Sequence, residues 1–394
     1  MQKGRASLLP LLSLAVACGS EPDASRYSVR DSAGIRIVES VVTAESTTPW
    51  SVAHDPVFRV GWDEDLLFEG IVAGVVLEDG RIVVADGGSK LIHVLTPTGD
   101  ALSVFGGEGQ GPSEFGQLNA LVHVGGDTVL VQDGGNGRLV VFATDVLIRS
   151  ARFIPWIGDA AYGVRGRVAD RYALWVDAYR ATDASAGWHS YPVLGLDLGA
   201  STLDTLADVG LWYSRGSGDA NPIRVNGTVA VAGNRVVYGT GDRAELTWID
   251  GGGRVLQIAR WDGTLREAGE AEWESYEAGY RARYDDRYEP AELERRLASQ
   301  RADFSGPVPH FSGAFGDRDG RVWLTEYQFN GSGLGQSTYA VVAPDGRHEG
   351  SISFPRPIRL LDVTRGVVLG VEYNELDVQA VVVYRLEDRD GGSV

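Results

Sequence analysis

Side chains that could bind a metal ion or exchange protons are spread along the whole chain. No two of the six histidines have the H-x-x-x-H or H-E-x-x-H spacing that brings two imidazoles together on a helix. A calcium site needs only oxygen ligands, so calcium is the cofactor that the sequence still allows. No metal ligand is assigned. Four candidate binding residues lie at or near the starts of expected strands: Glu69, Asn119, Asn226 and His310.

Motifs for a catalytic nucleophile are absent, because the chain contains neither G-x-S-x-G nor S-x-x-K. Acidic residues recur at the ends of β-rich runs, but a catalytic pair needs two different environments that separate the two pKa values. We therefore expect these repeated carboxylates to accept hydrogen bonds from turn amides. The acidic residues are Asp86, Asp133, Asp177, Glu326 and Glu372.

The loop FGGEGQGPSEF, residues 105–115, tests whether the chain binds a nucleotide phosphate. A dinucleotide fingerprint needs G-x-G-x-x-G between a strand and a helix. Here the glycine spacing differs, a β-rich run follows, and a P-loop lysine is missing. We interpret the loop as a structural crossing between two sheets, in which Phe115 acts as a wedge and glycines allow positive φ.

The N-terminus has the pattern of a secretory signal. Lys3 and Arg5 precede an apolar stretch that is too short to span a membrane. The sequence LAVAC resembles a bacterial lipobox, in which Cys18 would become the lipidated first residue of the mature protein. We expect a signal peptide over 1–17 and a flexible tether over 18–33, with an ordinary cleaved signal as the alternative. Gly19 after the cysteine favours the outer membrane of a bacterial cell envelope.

The formal charge of −18 argues against a nucleic-acid partner, because nucleic-acid binding requires phosphate neutralisation. No cysteine follows Cys18, so the fold has no internal disulfide. No later stretch approaches 18 uninterrupted apolar residues, so we expect membrane contact through the lipid anchor only.

A turn followed by a β-rich run recurs six times, with a period of about 45 residues outside visible insertions. Further strand-like runs accompany each copy, which is typical of a four-stranded propeller blade. The sequence predicts an all-β fold, a six-bladed β-propeller over 34–387 with a polar tail at 388–394. The copies are DGRIVVAD (79–86), GDTVLVQD (126–133), DRYALWVD (170–177), GNRVVYGT (233–240), DGRVWLTE (319–326) and RGVVLGVE (365–372).

The last repeat lacks one strand. The isolated run GIRIVES (34–40) is predicted to complete it and close the ring, with PVFRVG (56–61) as the second choice. An open ring would expose strand edges that invite aggregation.

The stretch DGRIVVADGGSKLIHVLTPTGDALSVFGGEGQGPSEF resembles the NHL-like repeats of bacterial six-bladed β-propeller lipoproteins. The resemblance extends to SAGIRIVES and to VPHFSGAFGDRDGRVWLTEY, and it is most specific in blades one, two and five. It implies the fold and an envelope location but no established activity.

Residues 264–304 break the β pattern, since they are rich in Glu, Ala and Arg. We predict two helices, a small helical insertion between blades four and five, with Pro290 opening the second helix. An aromatic stripe on the first helix either packs the insertion against the ring or forms a lid over a ligand. The candidate lid residues are Trp273, Tyr276, Tyr280 and Tyr284.

The repeated structural pattern, together with the missing catalytic motifs, favours a monomeric, lipid-anchored binding scaffold over an enzyme. Its expected partner is an envelope protein, peptide or glycan. The alternative is a calcium-dependent hydrolase or lyase that resembles gluconolactonase-like propellers.

Overall fold

The computed structural model describes residues 27–388, apart from positions 44–45, 47, 63–65, 144, 154, 180–184, 215–220, 264 and 330–334. The expected signal peptide, Cys18, and most of the expected tether and polar tail therefore lie outside the described residues. Within the described part of the chain, no helix has the length and apolar character that a membrane crossing requires.

Four short strands precede the first repeat. The first two form a hairpin whose turn residues, Ala33 and Gly34, have φ values of 55° and 81°, as a two-residue type I′ turn requires. Residues 27–32 were expected to belong to the tether, but they pair along their whole length with the second strand. The four strands are β1 (Tyr27–Ser32), β2 (Ile35–Ser40), β3 (Trp50–Val52) and β4 (Phe58–Val60).

Two four-stranded sheets follow, and each contains one copy of the repeated motif. In both sheets the motif forms the second strand, which is buried along nearly its whole length. Such burial on both faces is expected where a sheet is stacked between two neighbours. Sheet I consists of β5 (Ile71–Val76), β6 (Ile82–Asp86), β7 (Leu91–Leu95) and β8 (Ala101–Gly106). Sheet II consists of β9 (Leu118–Gly125), β10 (Thr128–Asp133), β11 (Arg138–Ala143) and β12 (Val146–Arg152).

The third and fourth motif copies form the middle of two larger sheets. Sheet III contains β13 (Trp156–Ile157), β14 (Ala160–Val168), β15 (Arg171–Tyr179), β16 (Gly187–Asp197) and β17 (Thr202–Ser214). Sheet IV contains β18 (Gly227–Ala232), β19 (Arg235–Thr240), β20 (Glu245–Ile249) and β21 (Val255–Trp261). Strand β2 lies parallel to β21 and β1 lies outside β2, so sheet IV has six strands.

Two helices follow sheet IV, within the segment predicted to be helical. Pro290 occupies the first turn of the second helix, and Glu289 before it has an extended ψ of 143°. This confirms the predicted helix start, because proline excludes the preceding residue from the α region. The helices are α1 (Glu270–Tyr284) and α2 (Pro290–Asp303).

The remaining strands form an eight-stranded sheet, sheet V, together with β3 and β4. The longest strand of this sheet, His348–Thr364, has 17 residues. The first part of this strand pairs with Gln336–Val342 and the second part pairs with Val367–Tyr373. The strands are β22 (Gly313–Gly316), β23 (Val322–Thr325), β24 (Gln336–Val342), β25 (His348–Thr364), β26 (Val367–Tyr373) and β27 (Gln379–Asp388).

The first strands of the sheets contact one another in a closed cycle. Strand β5 contacts β9, then β14, β18 and β22 follow, and the end of β25 returns to β5. Arg318, just after β22, completes the cycle because its backbone N–H donates to the carbonyl of Val363 on β25, at 3.2 Å. Sheets stacked radially around a channel define a β-propeller.

The ring is closed by β4, which pairs antiparallel with β27 in the register Phe58 to Val383 and Val60 to Val381. The prediction that 34–40 closes the ring was therefore wrong, and the second choice, 56–61, was correct. Both runs have the composition of a strand. Their partners differ because Phe58 is buried in the core between β27 and sheet I, whereas β2 extends the outer edge of sheet IV.

Replacing Phe58 by alanine tests this closure. The variant should lower the free energy of unfolding by about 3 kcal/mol, since truncating a buried phenylalanine leaves a cavity. Urea denaturation followed by circular dichroism measures the change. The matched control is Val57→Ala, because Val57 is 39% exposed and its backbone hydrogen bond to Val383 is kept. Equal destabilisation by the two variants would contradict the role of Phe58.

His348 lies where sheet V meets the N-terminal strand β2. Its backbone N–H donates to Ser40 Oγ at 3.1 Å, and its Nδ1 accepts from the Gly350 N–H at 3.1 Å. Burial lowers the pKa of His348 to about 4, because the charged imidazolium loses its hydration. The neutral ring is therefore part of this junction.

The lowered pKa makes the junction sensitive to acid. The stability that neutral His348 contributes is present above its unfolded pKa of about 6.5 and is lost as the pH falls towards 4. Between pH 7 and pH 4, the free energy of unfolding should fall less in His348→Asn than in the wild type. The two decreases should differ by up to about 3 kcal/mol. Urea titrations at three pH values measure the difference. The exposed His54→Asn variant should follow the wild type, and a similar pH profile for His348→Asn would contradict the assignment.

Candidate binding channel

Three adjoining cavities run along the axis of the propeller. The inner cavity has a volume of about 170 Å³, the middle one about 260 Å³, and the cavity at the mouth about 380 Å³. Close contacts between sheets set the channel width: a Cβ added to Gly166 would lie 2.7 Å from Val231 Cβ. A Cβ added to Gly316 would lie 2.2 Å from the Val231 carbonyl oxygen. Innermost strands can approach this closely because these positions are glycine.

Arg165 lines all three cavities. It occupies an irregular position in β14, where the pairing with β15 shifts register between Val164 and Gly166. Such a bulge turns a side chain away from the regular alternation. Its Nη2 donates to the Val176 carbonyl at 3.0 Å and to Asp177 Oδ1 at 2.6 Å. The guanidinium group is thus positioned in the channel by the neighbouring strand.

A buried ion pair occupies the inner end of the channel. Arg318 donates to both carboxylate oxygens of Asp362, at 3.2 Å and 2.8 Å. Asp362 also accepts from the Val76 N–H at 2.8 Å, so it links sheet V to sheet I. Burial raises the pKa of Asp362, and the Arg318 charge opposes that shift. The pair holds three segments of the ring together.

His123 extends this network to sheet II. Arg318 Nη1 lies 2.9 Å from His123 Nδ1, and an arginine nitrogen can only donate. His123 Nδ1 is therefore the acceptor, and Nε2 carries the proton that is donated to the Gly126 carbonyl at 3.1 Å. This histidine links sheet II to the Arg318–Asp362 pair.

Arg167 also lines the inner cavity. Its Nη1 donates to the Val124 carbonyl at 2.6 Å, and no carboxylate of the described residues forms an ion pair with it. The second acidic residue at this end, Asp317, is 1% exposed and accepts from Trp323 Nε1 at 2.9 Å. Burial raises the pKa of Asp317 to about 6. The channel therefore presents arginine N–H groups, while its carboxylates are buried or paired.

The mouth of the channel has an aromatic wall. Trp175, Tyr179 and Trp212 line this cavity, and the rings of Tyr179 and Trp212 are nearly parallel, with centroids 5.9 Å apart. His189 stacks on Trp212 at 4.0 Å. The buried Nε1 of Trp212 has no hydrogen-bond partner among the described residues. The polar side chains of Arg165, Asn226, Thr228 and Ser312 line the same cavity, and a wall that combines aromatic rings with polar groups is typical of a pocket for a small ligand.

The four predicted binding residues do not converge on one point. Asn119 lines the middle cavity, where its Oδ1 accepts from the Gly134 N–H at 3.0 Å, and Asn226 lines the mouth. Glu69 is exposed and donates its backbone N–H to Asp86. The backbone N–H of His310 donates to the Gly241 carbonyl, and a Cβ at Gly263 would lie 2.7 Å from its ring. Their roles in binding stay predictions.

The candidate lid residues pack within the helical pair. Trp273 forms a small core with Leu293 and Leu297, and Tyr276, Tyr280, Tyr284, Tyr288 and Phe304 pack around it. The indole Nε1 of Trp273 donates to Glu277 at 3.0 Å on the same helix. Phe304 contacts Phe329, with ring centroids 6.0 Å apart. The stripe therefore mainly joins α1 to α2, and its role as a lid stays a prediction.

The acidic strand ends have two different roles. Asp86 accepts from the Glu69 and Gly88 N–H groups, and the buried Asp133 accepts from those of Gly116 and Gln117, which confirms the predicted turn bonds there. Arginines bind three of the strand ends: Asp133 binds Arg138 as well, Asp177 binds Arg165 and Glu372 binds Arg59.

The glycine-rich loop 105–115 is structural, as predicted. It connects β8 to β9, and the Phe115 N–H donates to the Gly107 carbonyl at 2.8 Å. Gly106 and Gly107 have φ values of 110° and 124°, which side chains disfavour. The ring of Phe115 is fully buried and lies 6.0 Å from Phe142.

Calcium does not fit the channel well. No group of three His, Cys, Asp or Glu side chains suited to a metal ion occurs in the described part of the chain. Asp177 and Asp362 already have guanidinium partners, and these positive charges oppose a divalent cation.

The arginine side chains were missed by the sequence analysis. The pattern R-G-R at 165–167 lies in an expected innermost strand, where alternate residues share one face. The R-G-R spacing therefore indicates that Arg165 and Arg167 share one face of this strand. The inner position of Arg318 and the aromatic wall depend on contacts between distant strands, which no local pattern shows.

The fold and this site define the class: a β-propeller with an arginine-lined axial channel. No family model and no curated protein matches the chain. A solved member of the DUF4221 family from Bacteroides vulgatus has a TM-score of 0.51 at 10% identity, covering 87% of this chain and 100% of that one. The calcium-binding protein regucalcin from Agrobacterium tumefaciens has a TM-score of 0.41 at 9% identity, covering 87% and 98%. Virginiamycin B lyase from Staphylococcus aureus has a TM-score of 0.38 at 8% identity, covering 82% of this chain and 87% of that one. At 10% identity, the DUF4221 structure shows a shared fold alone.

A double-mutant cycle tests the ion pair at the inner end. Arg318→Met should lower the free energy of unfolding by about 3 kcal/mol, because it leaves the buried Asp362 carboxylate without its counter-charge. Adding Asp362→Asn should recover much of this loss, since the amide is uncharged. Urea denaturation at pH 7 measures all four proteins. Strictly additive effects of the two substitutions would show that the pair is not coupled.

Proposed function

We propose that this chain is an exported β-propeller, anchored to the bacterial envelope through Cys18, that binds an oligosaccharide at the mouth of its axial channel. The observation that carries the proposal is the mouth cavity of about 380 Å³ with its aromatic wall. Aromatic rings offer flat apolar faces to sugar rings, and the neighbouring donors bind hydroxyl oxygens. An envelope protein or peptide is the competing kind of partner.

The proposal includes a ring of six blades that acts as a monomer. Strand β25 supports this number, because residues 348–353 pair with β24 and residues 359–364 pair with β26. Sheet V then consists of two blades joined by one continuous strand, and α1 and α2 lie between blades four and five. The six motif copies occupy equivalent second strands, as expected for repeats with NHL-like sequence.

Binding without turnover is favoured by the roles of the polar groups at the mouth. Thr228 accepts from the Ala314 N–H at 2.9 Å, Ser312 donates to the Glu326 carbonyl at 3.1 Å, and Asp177 is paired with Arg165. These groups hold strands together. An activated nucleophile would instead need a base within hydrogen-bond reach.

The location rests on the sequence. The short apolar segment before LAVAC has the features of a signal peptide, and a lipidated Cys18 would hold the propeller at the membrane surface. The outer membrane is the proposed site, on the basis of Gly19.

Calorimetric titration with neutral and acidic oligosaccharide pools from bacterial envelopes tests the proposal. The wild-type protein should bind at least one pool, and chromatography should recover the sugar unchanged. Trp212→Ala should weaken binding about tenfold or more, because it removes part of the aromatic wall. Trp156→Ala is the matched control, since Trp156 lines a separate groove with Ile157 and Leu203.

Circular dichroism confirms that both variants fold. Two results would contradict the proposal: no binding of any pool by the wild type, or equal binding by Trp212→Ala. Release of cleaved sugar would favour the hydrolase or lyase alternative.

A further inference from the structure

We infer that the ligand of the channel carries a carboxylate group, as in an oligosaccharide of uronic acids, and that Arg165 and Arg167 bind this group. The inference rests on the proposed function and names the substrate class of the same site.

Arg165 is the residue that connects the mouth with the interior. Both of its hydrogen bonds use Nη2, so Nε and Nη1 have no partner among the described residues. The residue is exposed to the channel. A guanidinium group matches a carboxylate with two parallel N–H donors, which gives both strength and orientation.

Arg167 supplies a second positive charge at the inner cavity. It is exposed, and only Nη1 has a hydrogen bond, to a backbone carbonyl. No described carboxylate neutralises it. Because Arg165 and Arg167 both line the inner cavity, both guanidinium groups face the same space.

The acidic groups nearby do not compete for these positions. Asp362 is bound by Arg318 and the Val76 N–H, and Asp317 is bound by Trp323 and the Arg321 N–H. Both are nearly fully buried. Asp177 accepts a hydrogen bond from Arg165, but only from Nη2 of the guanidinium group. These carboxylates therefore leave Arg165 Nε and Nη1 without a partner among the described residues.

The free N–H donors of Arg165 and the Arg167 charge contrast with the net charge of the whole molecule. The whole chain has a net charge of −18, and such a surface repels anions at long range. At 0.15 M salt the Debye length is about 8 Å, so the outer charges are screened while close contacts inside the channel are not. An anion that reaches the mouth is then held by local contacts.

Trigalacturonate and its trimethyl ester provide a matched pair of probes, because they differ in charge but not in ring structure. In 0.15 M NaCl, calorimetry should show that the acid binds at least tenfold more tightly than the ester. Arg165→Gln and Arg167→Gln should each weaken binding of the acid about tenfold and weaken binding of the ester much less. The affinity of Arg165→Lys for the acid should lie between those of the wild type and Arg165→Gln, because lysine keeps the positive charge but cannot form two parallel hydrogen bonds.

Arg171→Gln is the control, because Arg171 is paired with Asp204 at 2.6 Å and has no part in the three axial cavities. Melting curves confirm that each variant is folded. Equal affinity for acid and ester, or equal weakening by Arg171→Gln, would overturn the inference and leave the proposed function intact. Binding of a neutral pool without binding of trigalacturonate would do the same. Failure of every oligosaccharide to bind would overturn the proposed function itself.

Discussion

Each innermost strand of the propeller has an edge whose backbone groups lack a partner strand, and the structure depends on how that edge is satisfied. Side chains from the neighbouring sheet accept the free N–H groups. Gln132 accepts from Val164, Thr228 from Ala314 and Asp362 from Val76. Because an unpaired buried N–H is costly, these bonds specify which sheets are neighbours as well as holding them together.

Closure of the ring satisfies the same constraint at the chain ends. Strand β27 would be an exposed edge if β3 and β4 did not pair with it. Residues just before β3 also bond to sheet V. The Thr48 N–H donates to the Ser351 carbonyl, and the Ser351 N–H donates to the Ser46 carbonyl. The segment before the first repeat therefore contacts sheets IV and V and stabilises the ring from outside, although its sequence has no repeat.

The polar interior follows from this arrangement. Where two innermost strands approach at glycine, as at Gly166 and Gly316, bulky neighbours such as Arg165 are directed into the channel. The carboxylates of Asp177, Asp317 and Asp362 already accept hydrogen bonds, whereas Arg165 uses only one of its guanidinium nitrogens. We propose that a channel built in this way binds an acidic ligand, in contrast to the calcium site that carboxyl and amide side chains near the strand starts suggested.

The amino-acid sequence by itself determined the strand repeats, the helical segment, the structural nature of the loop 105–115 and the turn bonds of Asp86 and Asp133, because each depends on local periodicity or turn chemistry. It did not determine that Phe58 rather than residues 34–40 closes the ring, or that the tyrosine stripe joins α1 to α2. The tertiary structure alone placed Arg165, Arg318 and Trp212 around one channel. Those positions depend on contacts between strands that are far apart in the chain. Local sequence patterns do not show which of these distant strands become neighbours.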